Sequence, residues 1–308
     1  MDKHGEHTMN IVCATDGNYL RHCIAMLQSL WTHNPNPDLK VYLIYDSIDS
    51  EQLGKATEFL SELLPSISIL KASAKPFDAF PVNGHMSIAT YFRLLLPDLL
   101  PSSMERVIFI DADTIITDSL DCLWNQSLQG NALAAVPEHK LFCVHHNHQY
   151  GHYFNAGIML IDLMKWRQAN LISKGHRFAI EIPEKLRHSD QDVLNLVFED
   201  NWLNLPDRWN ACPHLFGLTG GYDLTPEALS TCELEAIHQP AIVHFAGSGK
   251  DKPWNAHCRH PLKDRYLEAR SLTPWATEAL DEQLPSRLRQ RYNETLFRIK
   301  CIARSLYR

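Results

Sequence analysis

A chain of 308 residues, 45% apolar and 21% charged, has enough core for one large α/β domain with an appendage, or for two modest domains. Its formal charge of −7 excludes a protein that coats nucleic acid, and its ordinary globular composition excludes bulk disorder. Eight scattered cysteines without a Cys-x-x-Cys pair exclude a zinc knuckle or a thioredoxin motif and suit a reducing compartment.

Residues 1–8 are polar, carry His4 and His7, and read as a disordered lead-in without the apolar stretch of a secretory signal. Asn10 to Thr15 is a short apolar strand, in which Cys13 reads as a small buried hydrophobe. Tyr19 to Thr32 follows with Leu20, Ile24, Leu27 and Leu30 at helical spacing. Val41 to Tyr45 is the second strand; Ser50 to Leu64 is a helix capped by Asp49 or Ser50, and Ile67 to Leu70 the third strand. Ser87 to Leu96 reads as helix, Arg106 to Ile110 as the fourth strand and Leu133 to Val136 as the fifth. Beyond them, Ile158 to Ile161 and Ile242 to Phe245 suit strands, and Leu163 to Asn170 and Asp190 to Phe198 suit helices. This rhythm predicts an α/β fold with a mostly parallel sheet covered by helices on both faces. No apolar run approaches the roughly 18 residues of a membrane span.

Ligands of such sheets bind beyond the carboxyl ends of the strands, and two of those ends are acidic: Asp16 after the first, and Asp111-Ala112-Asp113 after the fourth. Alternation along a strand end turns the carboxylates of Asp111 and Asp113 to one side. There they can hold a hard divalent ion, Mn²⁺ or Mg²⁺, whose other positions take phosphates. The same pattern also serves as turn and cap chemistry.

Val107 to Thr114 resembles the strand and Asp-x-Asp motif of glycosyltransferase family 8, retaining enzymes of the GT-A, Rossmann-like type that include bacterial lipopolysaccharide galactosyl- and glucosyltransferases. Five further segments resemble the family in the same order: Ala14 to Tyr19, His85 to Leu94, Tyr153 to Gly157, Asp190 to Asp192, and His244 to Gly247 followed by Lys252-Pro253-Trp254. The resemblance implies that Asp111, Asp113 and His244 ligate the metal and that Ala14, Asp16, Asn18, Tyr19, Asp111 and Ala112 contact the nucleotide. It further implies that Arg93, Asn155, Ala156, Asp190 and Gln191 face the donor sugar, with Gln191 and Asp190 at the reacting carbon. Gly247 and Lys252 would meet the diphosphate; Ser248 to Asp251 are additional to the simplest family pattern, which leaves Lys250 as the alternative cation. An amide such as Gln191 is a poor nucleophile, which points to front-face transfer. His85 and Glu138 are assigned to the acceptor, Glu138 from its place after the fifth strand, where it otherwise reads as a solvated acid. Asp190 could also be merely the N-cap of its helix.

His145, His146, His148 and His152 read as loop residues near the acceptor pocket, a second metal site being the alternative; Trp124, Trp166, Trp202 and Trp209 read as core. From Ser286 onward seven basic residues face one acid, Glu294. Leu288, Tyr292, Leu296, Ile299, Ile302, Ala303 and Leu306 share one helical face flanked by arginines, although Phe297 falls on the opposite one. Such a helix suits an anionic membrane surface, a packed helix or a dimer contact. The expected layout is a lead-in at 1–8, a GT-A domain at 9–272 and a helical basic tail at 273–308. The expected activity moves galactose or glucose from a UDP-sugar to a cell-surface glycan or glycolipid, on the cytoplasmic side of the membrane. A self-glucosylating transferase, a nucleotide-sugar sensor and a nucleotidyltransferase are the rival readings. Acceptor identity, linkage position and oligomeric state leave no mark in the sequence.

Overall fold

The computed structural model describes residues 8–81, 87–218, 224–225, 227–247 and 249–282, without the side chain of Lys250. Residues 1–7 of the expected lead-in, His85 and the amphipathic stretch from Leu288 to Leu306 therefore lie outside the described residues. Strands β1 (Asn10–Thr15), β2 (Lys40–Tyr45), β3 (Ser66–Lys71) and β4 (Arg106–Ile110) are joined by β6 (Leu133–Pro137), β7 (Phe154–Asp162) and β8 (Trp202–Asn204) in one sheet. Its order is β3-β2-β1-β4-β7-β6-β8. A separate pair is made by β5 (Thr114–Ile116) and β9 (Ile242–His244).

The order runs outward from β1 to β3 and then restarts at β4 on the other side of β1. Both chain exits at that reversal, after Thr15 and after Ile110, open on the same end of the sheet, because β1 and β4 are parallel. That is the crevice in which open α/β sheets bind ligands. The pairings β1–β2, β2–β3, β1–β4 and β6–β8 are parallel, so the expected mostly parallel sheet is present. The strand expected at Ile158 to Ile161 is longer and runs antiparallel to both β4 and β6. An apolar run carries no sign of its direction; the antiparallel course places the start of β7, Asn155 to Gly157, at the binding end of the sheet.

The first helix, Leu20–His33, buries Leu20, Ile24, Leu27 and Leu30 on β1 and β2, each stabilising the fold by about 1.5–3 kcal/mol. The helix Ser50–Leu63 begins at Asp49, whose carboxylate accepts from the amides of Glu51 and Gln52. The helix expected at Ser87 to Leu96 is present as a 3₁₀ helix over Ile88–Leu95. Its threefold winding stacks residues three apart, setting Thr90 and Arg93 on one side. Residues 273–282, expected in the tail, pack into the domain: Trp275 is 1% exposed in the core shared by β1 and β2, and its indole donates to Gln52 Oε1 at 3.0 Å. The compact fold thus runs past 272. Among the described residues no helix is long and apolar enough to cross a membrane.

Candidate active site

Pairing of β5 with β9 sets Thr114 opposite His244, and the amide of Phe245 donates to the carbonyl of Asp113 at 2.9 Å. This brings the imidazole to the aspartate pair: His244 Nε2 lies 3.3 Å from Asp113 Oδ1, and ligand atoms of Asp111, Asp113 and His244 all lie within 4.8 Å of one another. Oxygen ligands about 2.1–2.6 Å from a hard cation span a similar distance, so two carboxylates and an imidazole here fit a divalent ion. Among the described residues this is the one such group of three.

Each acid of the pair also has a cation of its own. Lys252 donates to Asp113 Oδ2 and, at 2.8 Å, to the Phe245 carbonyl. Arg93 reaches Asp111 Oδ1 at 2.7 Å and Asp190 Oδ2 at 2.9 Å, donates to the Ala156 carbonyl, and lies over the Phe109 ring. Thr90 donates to the other oxygen of Asp190. Burial pushes the Asp111 carboxyl up to about 6, and the neighbouring Asp113 adds to that while Arg93 opposes it. Burial would raise Asp113 as well, but Lys252 and His244 hold it below the usual carboxylate range. Against the cost of burial, Asp113 holds the His244 proton well above its ordinary range.

Two cavities meet at this cluster. The first is lined by Ala14, Asp16, Tyr19, Gly247 and Lys252, together with the aspartate pair and Ala112. Asp16 Oδ1 accepts from the amides of Asn18 and Tyr19, 2.9 Å each, which starts the first helix. Tyr19 meets the Trp254 ring edge-on, and Trp254 stacks on His22 with centroids 3.6 Å apart. Asn18 is exposed, in the turn between Asp16 and Tyr19, both of which line this cavity.

The second cavity is bordered by Glu138, Asn155, Ala156, Asp190 and Gln191. Glu138 is only 8% exposed, so the solvated-acid reading of it fails; burial raises its carboxyl, while Asn155 and Gln191 donate to it at 2.7 and 3.2 Å. Gln191 Oε1 accepts from the Ala156 amide at 3.0 Å. Asp190 is the first residue of its helix, which starts after Ser189 without a side-chain cap, so it is not the N-cap. Of the histidine run, His148 and His152 lie in a loop as expected, whereas His145 and His146 end the helix Lys140–His146; all four line a cavity of their own that meets the second one at Arg187. No ligand group of three includes them among the described residues.

Reasoning from sequence missed Asn210, which is 2% exposed and accepts from His244 Nδ1 at 2.8 Å. The one signal for it is an amide beside Trp209 and Ala211, a polar side chain in a stretch that reads as buried.

Over residues 10–258 the chain matches the model described as glycosyl transferase family 8. The chain belongs to glycosyltransferase family 8. It is therefore a glycosyltransferase. General stress protein A of Bacillus subtilis is 32% identical over 281 residues, covering 88% of this chain and 96% of the relative. Lipopolysaccharide 1,3-galactosyltransferase of Salmonella typhimurium is 25% identical over 281 residues, covering 88% of this chain and 80% of the relative. The galactosyltransferase LgtC, solved with donor and acceptor sugar analogues, shares the fold: its TM-score is 0.75 at 24% identity, over 86% of this chain and 96% of that one. The family 8 glycosyltransferase thus carries a central α/β sheet of GT-A type, with its acidic cluster at the strand-order reversal.

Proposed function

We propose that the chain transfers galactose or glucose from a UDP-sugar to a cell-surface glycan or glycolipid, with retention of configuration. One observation carries the reading: the Asp111–Asp113–His244 cluster, with Lys252 beside it, separates a cavity bearing Tyr19 from a cavity bearing Gln191 and Glu138. A nucleotide diphosphate lies across the cluster in this reading, with its base toward Asp16 and Tyr19 and its sugar toward Asp190, Gln191 and Asn155. The name of the Salmonella relative supports the donor and acceptor classes.

Asp111, Asp113 and His244 would hold a divalent ion, Mn²⁺ or Mg²⁺, which would supply Lewis-acid stabilisation of the departing diphosphate. The chain's own residues do the rest. Lys252, rather than Lys250, turns from Asp113 to the phosphate oxygens and meets their negative charge as it develops. Arg93 fixes Asp190, which orients the sugar. The Gln191 amide, held by the Ala156 N–H and by Glu138, stabilises the anomeric carbon without bonding to it. The bond from that carbon to the diphosphate oxygen breaks as the acceptor oxygen bonds on the same face, and the acceptor proton passes to the leaving oxygen. Glu138 accepts a hydrogen bond from an acceptor hydroxyl. The basic stretch beyond Ser286 holds the enzyme against an anionic membrane on the cytoplasmic side, where a lipid-linked acceptor resides.

UDP release from a panel of UDP-sugars, with Mn²⁺ or with EDTA, tests the proposal on wild type and Asp113→Ala. Release from one hexose donor, lost with EDTA and lowered about 10²–10³-fold by the substitution, is the expected result. Tight UDP binding without release, even with acceptor extracts added, would make the protein a sensor.

A further inference from the structure

His244 is held from three sides by groups with no place in the transfer itself. Below the ring lies Gly157, where an added Cβ would sit 2.8 Å from Nδ1 and overlap Cε1. Beside it, Cys212 Sγ lies 3.8 Å from Nδ1. The third and only strongly directional contact is the 2.8 Å hydrogen bond between Nδ1 and Asn210 Oδ1.

The orientation of that amide is set elsewhere. Asn210 Nδ2 donates to Asn155 Oδ1 at 2.8 Å, Asn155 Oδ1 also accepts from the Gly157 amide at 2.9 Å, and Asn155 Nδ2 donates to Glu138 Oε1 at 2.7 Å. The Gly157 backbone N–H can only donate, so it fixes the direction of the chain at the Asn155 oxygen. Asn155 must turn its NH₂ to Glu138 and its oxygen to Asn210; Asn210 must then turn its oxygen to His244. An oxygen at that distance requires a proton on Nδ1, which leaves Nε2 as the atom presented to Asp113 and to the cluster.

We infer that Asn210 is a positioning residue that fixes the ring orientation and the Nδ1–H form of His244, and that its own orientation is imposed through Asn155 by the Gly157 amide and Glu138. The inference rests on the reading of Asp111, Asp113 and His244 as a metal cluster, and it adds a member that touches neither metal nor substrate. Partners of this kind typically hold about 10–100-fold of metal affinity. The chain also gives Asn155 a duty besides the donor sugar, since its oxygen already accepts two hydrogen bonds.

The test compares wild type, Asn210→Ala and Asn210→Asp by two readouts: Mn²⁺ affinity by calorimetry, and the imidazole N–H resonance of His244, assigned by its loss in His244→Gln. Asn210→Ala should lose the resonance and weaken Mn²⁺ binding about 10–100-fold. Asn210→Asp keeps an oxygen for Nδ1–H while losing the donor to Asn155, and should restore both. An Asn210→Ala protein with the resonance intact and Mn²⁺ affinity within twofold of wild type overturns the inference. If that variant does not fold, Asn210→Asp decides alone: keeping both signals supports the role, and losing both refutes it. Should wild type itself bind no Mn²⁺, the metal reading falls, while the resonance still reports whether Asn210 holds the ring.

Discussion

Lys252 rests its ammonium on the Asp113 carboxylate, so a side chain of the protein neutralises the second aspartate of the pair before any ligand arrives. The lysine and a divalent ion compete for the same oxygens. Lys252→Met should therefore tighten Mn²⁺ binding in the absence of nucleotide. It should also weaken UDP binding by about 10–100-fold, the worth of one charge-assisted hydrogen bond. Calorimetric titrations with each ligand alone and with both would reveal it; weaker Mn²⁺ binding in the variant would show that the lysine supports the site rather than occupies it.

Glu138 sits behind Gln191 with its carboxyl raised by burial. Glu138→Gln keeps an oxygen for Asn155 or Gln191 and removes a buried charge, so the protein should fold with wild-type stability. Transfer to a glycan should fall by about 10–100-fold, the worth of one hydrogen bond to a charged group. UDP-sugar hydrolysis, which needs no acceptor, should change little. Parallel assays of transfer and hydrolysis separate the two, and an equal loss in both would assign Glu138 to the donor.

His214 lies at the rim of the second cavity, stacked on His139 at 4.3 Å, and burial holds its imidazole down at about 3. In the unfolded chain the same ring protonates near pH 6.5. Between those values the unfolded state binds a proton that the native state refuses, so stability falls as the pH drops below about 6.5. The slope from this ring is at most about 1.4 kcal/mol per pH unit. His139, lowered to about 4, acts in the same direction. Urea unfolding from pH 7 to 4.5 should show this decline, and His214→Phe should flatten it; an unchanged slope would assign the acid sensitivity to other groups.

Trp275 buries its ring in the main core beyond the expected domain end. Trp275→Ala should cost about 3–5 kcal/mol, as large aromatic truncations do. Truncation after residue 272 should cost at least as much, whereas ending the chain after 282 removes none of the contacts described. Chemical denaturation of the three proteins would decide it, and a stable protein ending at 272 would restore the earlier boundary.

The elements legible in the sequence were those that carry their own period. Leu20, Ile24, Leu27 and Leu30 announce a helix without help from the rest of the chain, and Asp49 announces its successor. β5 did not show because three residues, Thr114 to Ile116, have no period; the strand exists through pairing with β9 far along the chain. That pairing delivers His244 to the aspartates, so the cluster could be expected from family resemblance but not from spacing. The wiring of Asn210, Asn155 and Glu138 was illegible because amides carry no pattern, and their roles arise from which oxygen each is forced to present.

Arg93 spends one guanidinium on Asp111, on Asp190 and on the Ala156 carbonyl. In the proposed function its two carboxylates serve different tasks, Asp111 the metal and nucleotide and Asp190 the sugar. A mutation at Asp190 that admits a new sugar would free part of the guanidinium to swing toward Asp111, disturbing the grip on the diphosphate. Donor preference in this lineage should therefore drift at positions outside that shared cation, while Arg93, Asp111 and Asp190 change together or not at all.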